Sequence, residues 1–216
     1  MTYQMVIFDN DGTLVDSETK AHTVLSGYLT ELGYPTTVEE SFQHFLGNAG
    51  RNVHTVVAER FGGTLPEDFT ARCHDRVFAA FQQGVDAAPG AGDLLAELGR
   101  RRLPYCVASS SDHAWIDLTL DRSGLRRHLP ASLVFSAEDV AGVGKPAPDL
   151  FLHAARAMGV APADCLVVED SRNGVLAARA AGMDVLGYTA LMPADRLVAA
   201  GATALIGELK QVLDHL

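Results

Sequence analysis

Two carboxylates, Asp9 and Asp11, leave the short apolar run Met5-Val6-Ile7-Phe8 at positions i and i+2, and Gly12 follows. Glycine adopts backbone angles closed to other residues, so a turn at Gly12 can aim both carboxylates at one cleft. A carboxylate needs no deprotonation at neutral pH, which makes Asp9 a candidate nucleophile able to form an acyl phosphate that water then cleaves. In that scheme Asp11 gives a proton to the leaving ester oxygen and takes one back from water. The plain alternative is an ordinary turn held by Asx hydrogen bonds.

A phosphate dianion and a carboxylate nucleophile repel each other, so such chemistry needs a hard divalent cation on oxygen ligands. Mg²⁺ fits, held by a carboxylate oxygen of Asp9, the main-chain carbonyl of Asp11 and Asp170, with Glu169 bound directly or through water. Glu169-Asp170 could instead be the acidic start of a helix. Ser109 offers a hydroxyl to a transferring phosphoryl group, and Ser110 and its neighbours add donors where a helix begins. Ser109-Ser110-Ser111-Asp112 could equally cap that helix. Lys145 would neutralise charge among Asp9, the phosphate and Asp170. Ser171 and Asn173 either support the metal ligands or cap a helix.

These residues must be positioned by the elements before them. Apolar runs at Met5–Phe8, Tyr105–Ala108, Leu133–Phe135, Cys165–Val168, Val185–Tyr188 and Ala204–Ile206 predict buried strands. Between them lie segments with helical spacing, such as Leu94, Leu95 and Leu98, or Leu150, Phe151, Ala154, Ala155 and Met158. Alternation of this kind implies an α/β fold, a doubly wound parallel sheet with right-handed crossovers. Ligands of such sheets bind outside the carboxyl ends of the strands, where Asp9, Ser109 and Glu169 fall.

The stretch 16–88 breaks the alternation. It has helical periodicity, breakers at Gly33-Tyr34-Pro35, Gly62-Gly63 and Pro66, and no convincing strand. The expected organisation is a core of 1–15 and 89–216 with an all-helical insert, 16–88, hinged at polar junctions. At 216 residues, 48% hydrophobic and 20% charged, the chain has ample material for a core and no apolar run of roughly 20 residues to span a bilayer. A formal charge of −10 argues against a general nucleic-acid binder, yet a few donors and a cation can still draw an anion into one cleft. Three cysteines give no disulfide framework, and no basic-then-apolar leader opens the sequence, so a cytoplasmic setting is expected.

Three stretches, Phe8-Asp9-Asn10-Asp11-Gly12-Thr13-Leu14-Val15-Asp16-Ser17, Gly144-Lys145-Pro146-Ala147-Pro148-Asp149 and Val168-Glu169-Asp170-Ser171-Arg172-Asn173-Gly174, occur in order around the helix-rich gap. This pattern resembles the haloacid dehalogenase-like hydrolase superfamily, in its phosphatase and phosphomutase branch with a helical cap. The resemblance implies a Rossmann-like core, Mg²⁺, a small phosphorylated metabolite and hydrolysis through phospho-Asp9. In the insert, Gly47-Asn48-Ala49-Gly50-Arg51-Asn52 resembles the loop by which such caps reach substrate, which makes Gly47, Asn48 and Arg51 candidate contacts. Arg51 could equally be an exposed helix-start residue. The rival reading is a β-phosphoglucomutase-like phosphomutase. Those enzymes carry an Arg and a His where this chain has Gly50 and Ala21, with Arg51 and His22 each displaced by one residue.

Overall fold

The computed structural model describes residues 3–46 and 53–216. The chain forms two compact units, one of Met1–Asp16 with Asp86–Leu216 and the other of Ser17–Val85. Among the described residues the second unit holds four helices, α1 (Ser17–Glu31), α2 (Val38–Phe45), α3 (Val53–Phe61) and α4 (Phe69–Gln82). The breakers read from the sequence fall between α1 and α2 and between α3 and α4. Tyr28, Leu29, Phe45, Val53, Val57, Leu65 and Phe69 form its buried cluster, with Tyr28 stacked on Phe69 at 5.1 Å. Helix α2 starts on a reciprocal cap: the Glu40 N–H donates to Thr37 Oγ1 at 3.2 Å, and the Thr37 N–H donates to Glu40 Oε2 at 2.9 Å.

The first unit is a parallel sheet of β1 (Met5–Phe8), β2 (Tyr105–Ser109), β3 (Val134–Ser136), β4 (Cys165–Glu169), β5 (Asp184–Tyr188) and β6 (Ala204–Ile206). Its order is β3-β2-β1-β4-β5-β6. With it go α5 (Ala91–Arg101), α6 (His113–Arg122), α7 (Asp149–Ala157), α8 (Arg172–Ala180) and α9 (Ala194–Ala200). This is the doubly wound, Rossmann-like arrangement, whose strand order reverses beside β1, the usual place for a ligand crevice. The four residues of β1 are wholly buried, as expected for a central parallel strand covered on both faces. Apolar stripes of the helices cover it, for instance Leu94, Leu95 and Leu98 on α5 and Leu150, Phe151, Ala154 and Ala155 on α7.

Strands β2 and β4 each run one residue past the apolar stretch, because the ladder continues through polar residues: Ser109 pairs with Ser136, and Glu169 pairs with Gly187. Phe8 pairs with both Val107 and Val168, so Asp9, Ser109 and Glu169 emerge at one end of the three central strands within about a rung of each other. The insert drawn as 16–88 is, as a compact unit, Ser17–Val85. Its flanks pair within the sheet unit, where the Asp16 N–H donates to Asp86 O at 2.9 Å and the Ala88 N–H to Leu14 O at 2.8 Å. No described helix is long and apolar enough to cross a membrane.

Thr37→Ala removes the side-chain half of the α2 cap. It is expected to cost about 1 kcal/mol and to speed amide exchange in α2, measured by urea unfolding together with hydrogen exchange. Unchanged exchange in the first turn of α2 would show the cap to be idle.

Candidate active site

Lys145 is the centre of the arrangement. Its side chain is 5% exposed, and its ammonium donates to Asp9 Oδ1 and, at 2.5 Å, to Glu169 Oε1. It also lies 4.9 Å from the centroid of the Phe151 ring, on α7. The Lys145 N–H donates to Ser110 Oγ at 3.1 Å, tying the lysine loop to the end of β2. Glu169 is fully buried, and its second oxygen, Oε2, accepts from both the N–H and the hydroxyl of Ser171 at 2.8 Å. Ser171 is at the same time the N-cap of α8, its Oγ accepting the Gly174 N–H at 3.0 Å. A Cβ on Gly174 would fall 1.7 Å from Glu169 Oε1, so the glutamate occupies the space that Gly174 leaves empty.

Burial pushes the Asp9 carboxyl up to about 8; Lys145 opposes that rise, and the charges of Glu169 and Asp11 add to it. Burial works against the Lys145 charge as well, but Asp9 and Glu169 outweigh it and hold the lysine above its ordinary value. The lysine is therefore a fixed cation.

Asp170, also buried, accepts from Thr13 Oγ1 at 3.2 Å. Gly12, at φ 76°, brings the first loop against it: a Cβ there would stand 2.3 Å from Asp170 Oδ2. Asp11 turns the other way, toward the end of β2. Its Oδ2 accepts from Ser111 Oγ at 3.0 Å and, at a longer 3.4 Å, from Ser109 Oγ, while Oδ1 accepts the indole N–H of Trp115 at 2.9 Å. The Trp115 main chain is set by the N-cap of α6, Asp112, which accepts the Trp115 N–H at 2.7 Å.

Asp9, Glu169 and Asp170 each present a carboxylate oxygen, and the three atoms lie within 4.8 Å of one another. The donors are all oxygen, and Lys145 is bonded to two of them, Asp9 and Glu169. Hard carboxylate donors fit a hard divalent cation, and Gly12 lets Asp170 take its place among them, since a Cβ there would stand 2.3 Å from its Oδ2.

The family model for haloacid dehalogenase-like hydrolases matches residues 3–182, which takes in every strand but β5 and β6. The chain belongs to this family. As a haloacid dehalogenase-like hydrolase it is 32% identical to hexitol phosphatase A of Escherichia coli, over 88% of this chain and 83% of that one. It spans about half, 48%, of the bifunctional riboflavin kinase/FMN phosphatase of Arabidopsis thaliana, at 32% identity over 86% of this chain. Among solved structures it matches a conserved haloacid dehalogenase-like protein from Agrobacterium tumefaciens at 36% identity and TM-score 0.90, covering 99% and 97% of the two chains. It also matches a hydrolase of the family from Deinococcus radiodurans with bound phosphate and sodium, at 30% identity and TM-score 0.86, covering 99% and 96%.

Within this hydrolase, Asp9, Lys145, Glu169 and Ser171 are joined by hydrogen bonds, Asp170 adjoins them, and Asp11 and Ser109 form a second group linked through Ser111. Ser110 has turned its hydroxyl to the lysine loop. Asn173 is exposed on the first turn of α8. Gly47, Asn48 and Arg51 lie outside the described residues. His22, read as a displaced family histidine, is buried in the helical unit, bonded to Ser41 at 2.8 Å and stacked on Phe42. Sequence reasoning missed Trp115, Thr13 and the spatial demand on Gly174. The one available signal was Trp115 itself, the only tryptophan, just inside a helix that follows a strand end.

Gly174→Ala tests the packing of Glu169. Alanine favours a helix over glycine by about 1 kcal/mol, so a helix-propensity effect alone would stabilise the protein. The expected outcome is a net loss of about 1–3 kcal/mol in urea unfolding, as buried Glu169 is pushed off Lys145 and Ser171. A stabilised variant would mean that Glu169 has another place to go.

Proposed function

We propose that the chain is a Mg²⁺-dependent phosphatase that hydrolyses a small phosphorylated metabolite, a sugar or sugar-acid phosphate, through phospho-Asp9. The observation that carries this reading is a carboxylate at the end of the central strand, buried against a fixed ammonium and next to two further buried carboxylates. Kinship with a hexitol phosphatase and with a hydrolase holding phosphate supports the phosphoryl group as the reacting unit.

Asp9 attacks phosphorus, and its new P–O bond forms as the bond to the leaving oxygen breaks. Asp11 passes a proton to that oxygen, so the leaving group departs as an alcohol. Water then gives a proton to Asp11 as its oxygen bonds to phosphorus, and the bond to Asp9 breaks, restoring Asp9 as the carboxylate and Asp11 as the protonated acid that began the cycle. Lys145 offsets charge on Asp9 and on the transferring oxygens, and Glu169 holds the lysine in place. The Ser109 hydroxyl, only loosely held by Asp11, can turn to a phosphoryl oxygen. Asp9, Asp170 and the Asp11 main-chain carbonyl would hold the cation. Glu169 would sit outside them, because both its oxygens already accept hydrogen bonds. Bound Mg²⁺ supplies the positive charge that lets a dianion approach an ionised Asp9. We assign the Ser17–Val85 unit the role of a cap, with Gly47, Asn48 and Arg51 as substrate contacts.

Phosphate release should vanish on chelation and in Asp9→Asn, and Lys145→Ala and Asp170→Ala should both be slow, with only the latter improved by raising Mg²⁺. Wild-type turnover by purified Asp9→Asn in excess Mg²⁺ would refute the nucleophile. A phosphatase given β-glucose 1-phosphate with a trace of the 1,6-bisphosphate should release phosphate without outpacing it in isomerised sugar. Faster appearance of glucose 6-phosphate would make the enzyme a mutase.

A further inference from the structure

Asp11 must present one oxygen to the reacting ester and withdraw the other, and its neighbours divide those tasks. Both of its oxygens are occupied, but by donors of different kinds. An indole N–H can only donate, so Oδ1 facing Trp115 stays an acceptor whether or not the carboxyl carries a proton. A serine hydroxyl can donate or accept, so Oδ2 facing Ser111 and Ser109 can hold a proton without losing its partners.

The donor itself is anchored. Trp115 lies in the first turn of α6, where Asp112 grips its main-chain N–H at 2.7 Å, and Ser111 is held in turn by Ser136 Oγ donating to its carbonyl at 2.7 Å. Ser111 also donates its own N–H to Ser109 Oγ at 3.2 Å. The end of β2 and the start of α6 thus form one hydrogen-bonded bracket around the Asp11 carboxylate.

We infer that Trp115 is a positioning residue for proton transfer, its indole N–H holding Oδ1 of Asp11 as a permanent acceptor so that Oδ2 is the oxygen that exchanges a proton with the leaving group and with water. This rests on the proposed phosphatase reading, which it refines by assigning the proton to one oxygen and the orientation to a residue that acts through Asp11. A mispositioned acid matters most when the leaving oxygen is a strong base. The cost of losing the indole in the first half-reaction therefore falls on alkyl esters, while transfer from aryl esters, which leave without a proton, is largely spared; cleavage of phospho-Asp9 by water slows alike for both.

The test compares Trp115→Phe with wild type in saturating Mg²⁺, on p-nitrophenyl phosphate and on a hexitol phosphate. The expected result is a loss of about tenfold or more in kcat/KM on the alkyl ester and of less than about threefold on the aryl ester, since this ratio reports the steps up to departure of the leaving group. In an Asp11→Asn background the same substitution should add nothing. A second arm leaves Trp115 in place: because the chain has one tryptophan, the indole ¹H–¹⁵N resonance is a single peak, and Asp11→Ala should move it upfield and speed its exchange with water. An active enzyme whose Trp115→Phe loses kcat/KM equally on both esters, or whose indole peak ignores Asp11→Ala, overturns the Trp115 assignment alone. Failure of the wild type to release phosphate from either ester overturns the phosphatase reading and the proton-transfer role with it, even with the indole shift present.

Discussion

The site depends on one ammonium shared between two buried carboxylates. Removing Lys145, Asp9 and Glu169 from water costs several kcal/mol per ion, and their attraction offsets that cost only while each keeps its partners. Much of the neighbouring structure meets this requirement. The parallel register brings Asp9 and Glu169 out side by side, Ser171 occupies the second oxygen of Glu169, Gly174 leaves that side chain its space, and Ser110 ties down the lysine loop. A third carboxylate stands beside the ion pair: an oxygen of Asp170 lies within 4.8 Å of oxygens of Asp9 and Glu169, a set of hard donors that suits a divalent cation.

A division of labour follows from where each carboxylate sits. Asp9, just past the end of β1, faces the lysine and the end of β4. Asp11, two residues on and past the rung, faces the end of β2 and the first turn of α6, among neutral donors. Two carboxylates of the same type, joined by a single residue, are thus set in environments of opposite character, a difference that the proposed roles of nucleophile and proton carrier would use.

The sheet was legible because central parallel strands must be apolar throughout, and the polar residues that follow them stand out. Asp9, Ser109, Glu169 and Asp170 were noticed for that reason, and Lys145 through the loop pattern Gly144-Lys145-Pro146. The strand ends were misjudged by one residue at Ser109 and Glu169, since an apolar-run criterion stops where the ladder does not. Contacts such as Trp115 with Asp11, 104 residues apart, or Glu169 with the missing Cβ of Gly174, depend on side-chain directions that periodicity does not encode. Asn173 shows the converse: its place in a motif suggested a supporting role, but the helical turn points it to solvent.

The central claim is that the phosphoryl group passes through Asp9. The most direct measurement is an acid quench during a single turnover with a substrate labelled in its phosphate, followed by peptide mapping of the protein. Label bound covalently to the peptide that carries Asp9, rising and decaying before free phosphate is complete and absent from Asp9→Asn, is the predicted result. Free phosphate formed at full rate with no protein-bound label at any time, or label on another peptide, would contradict it.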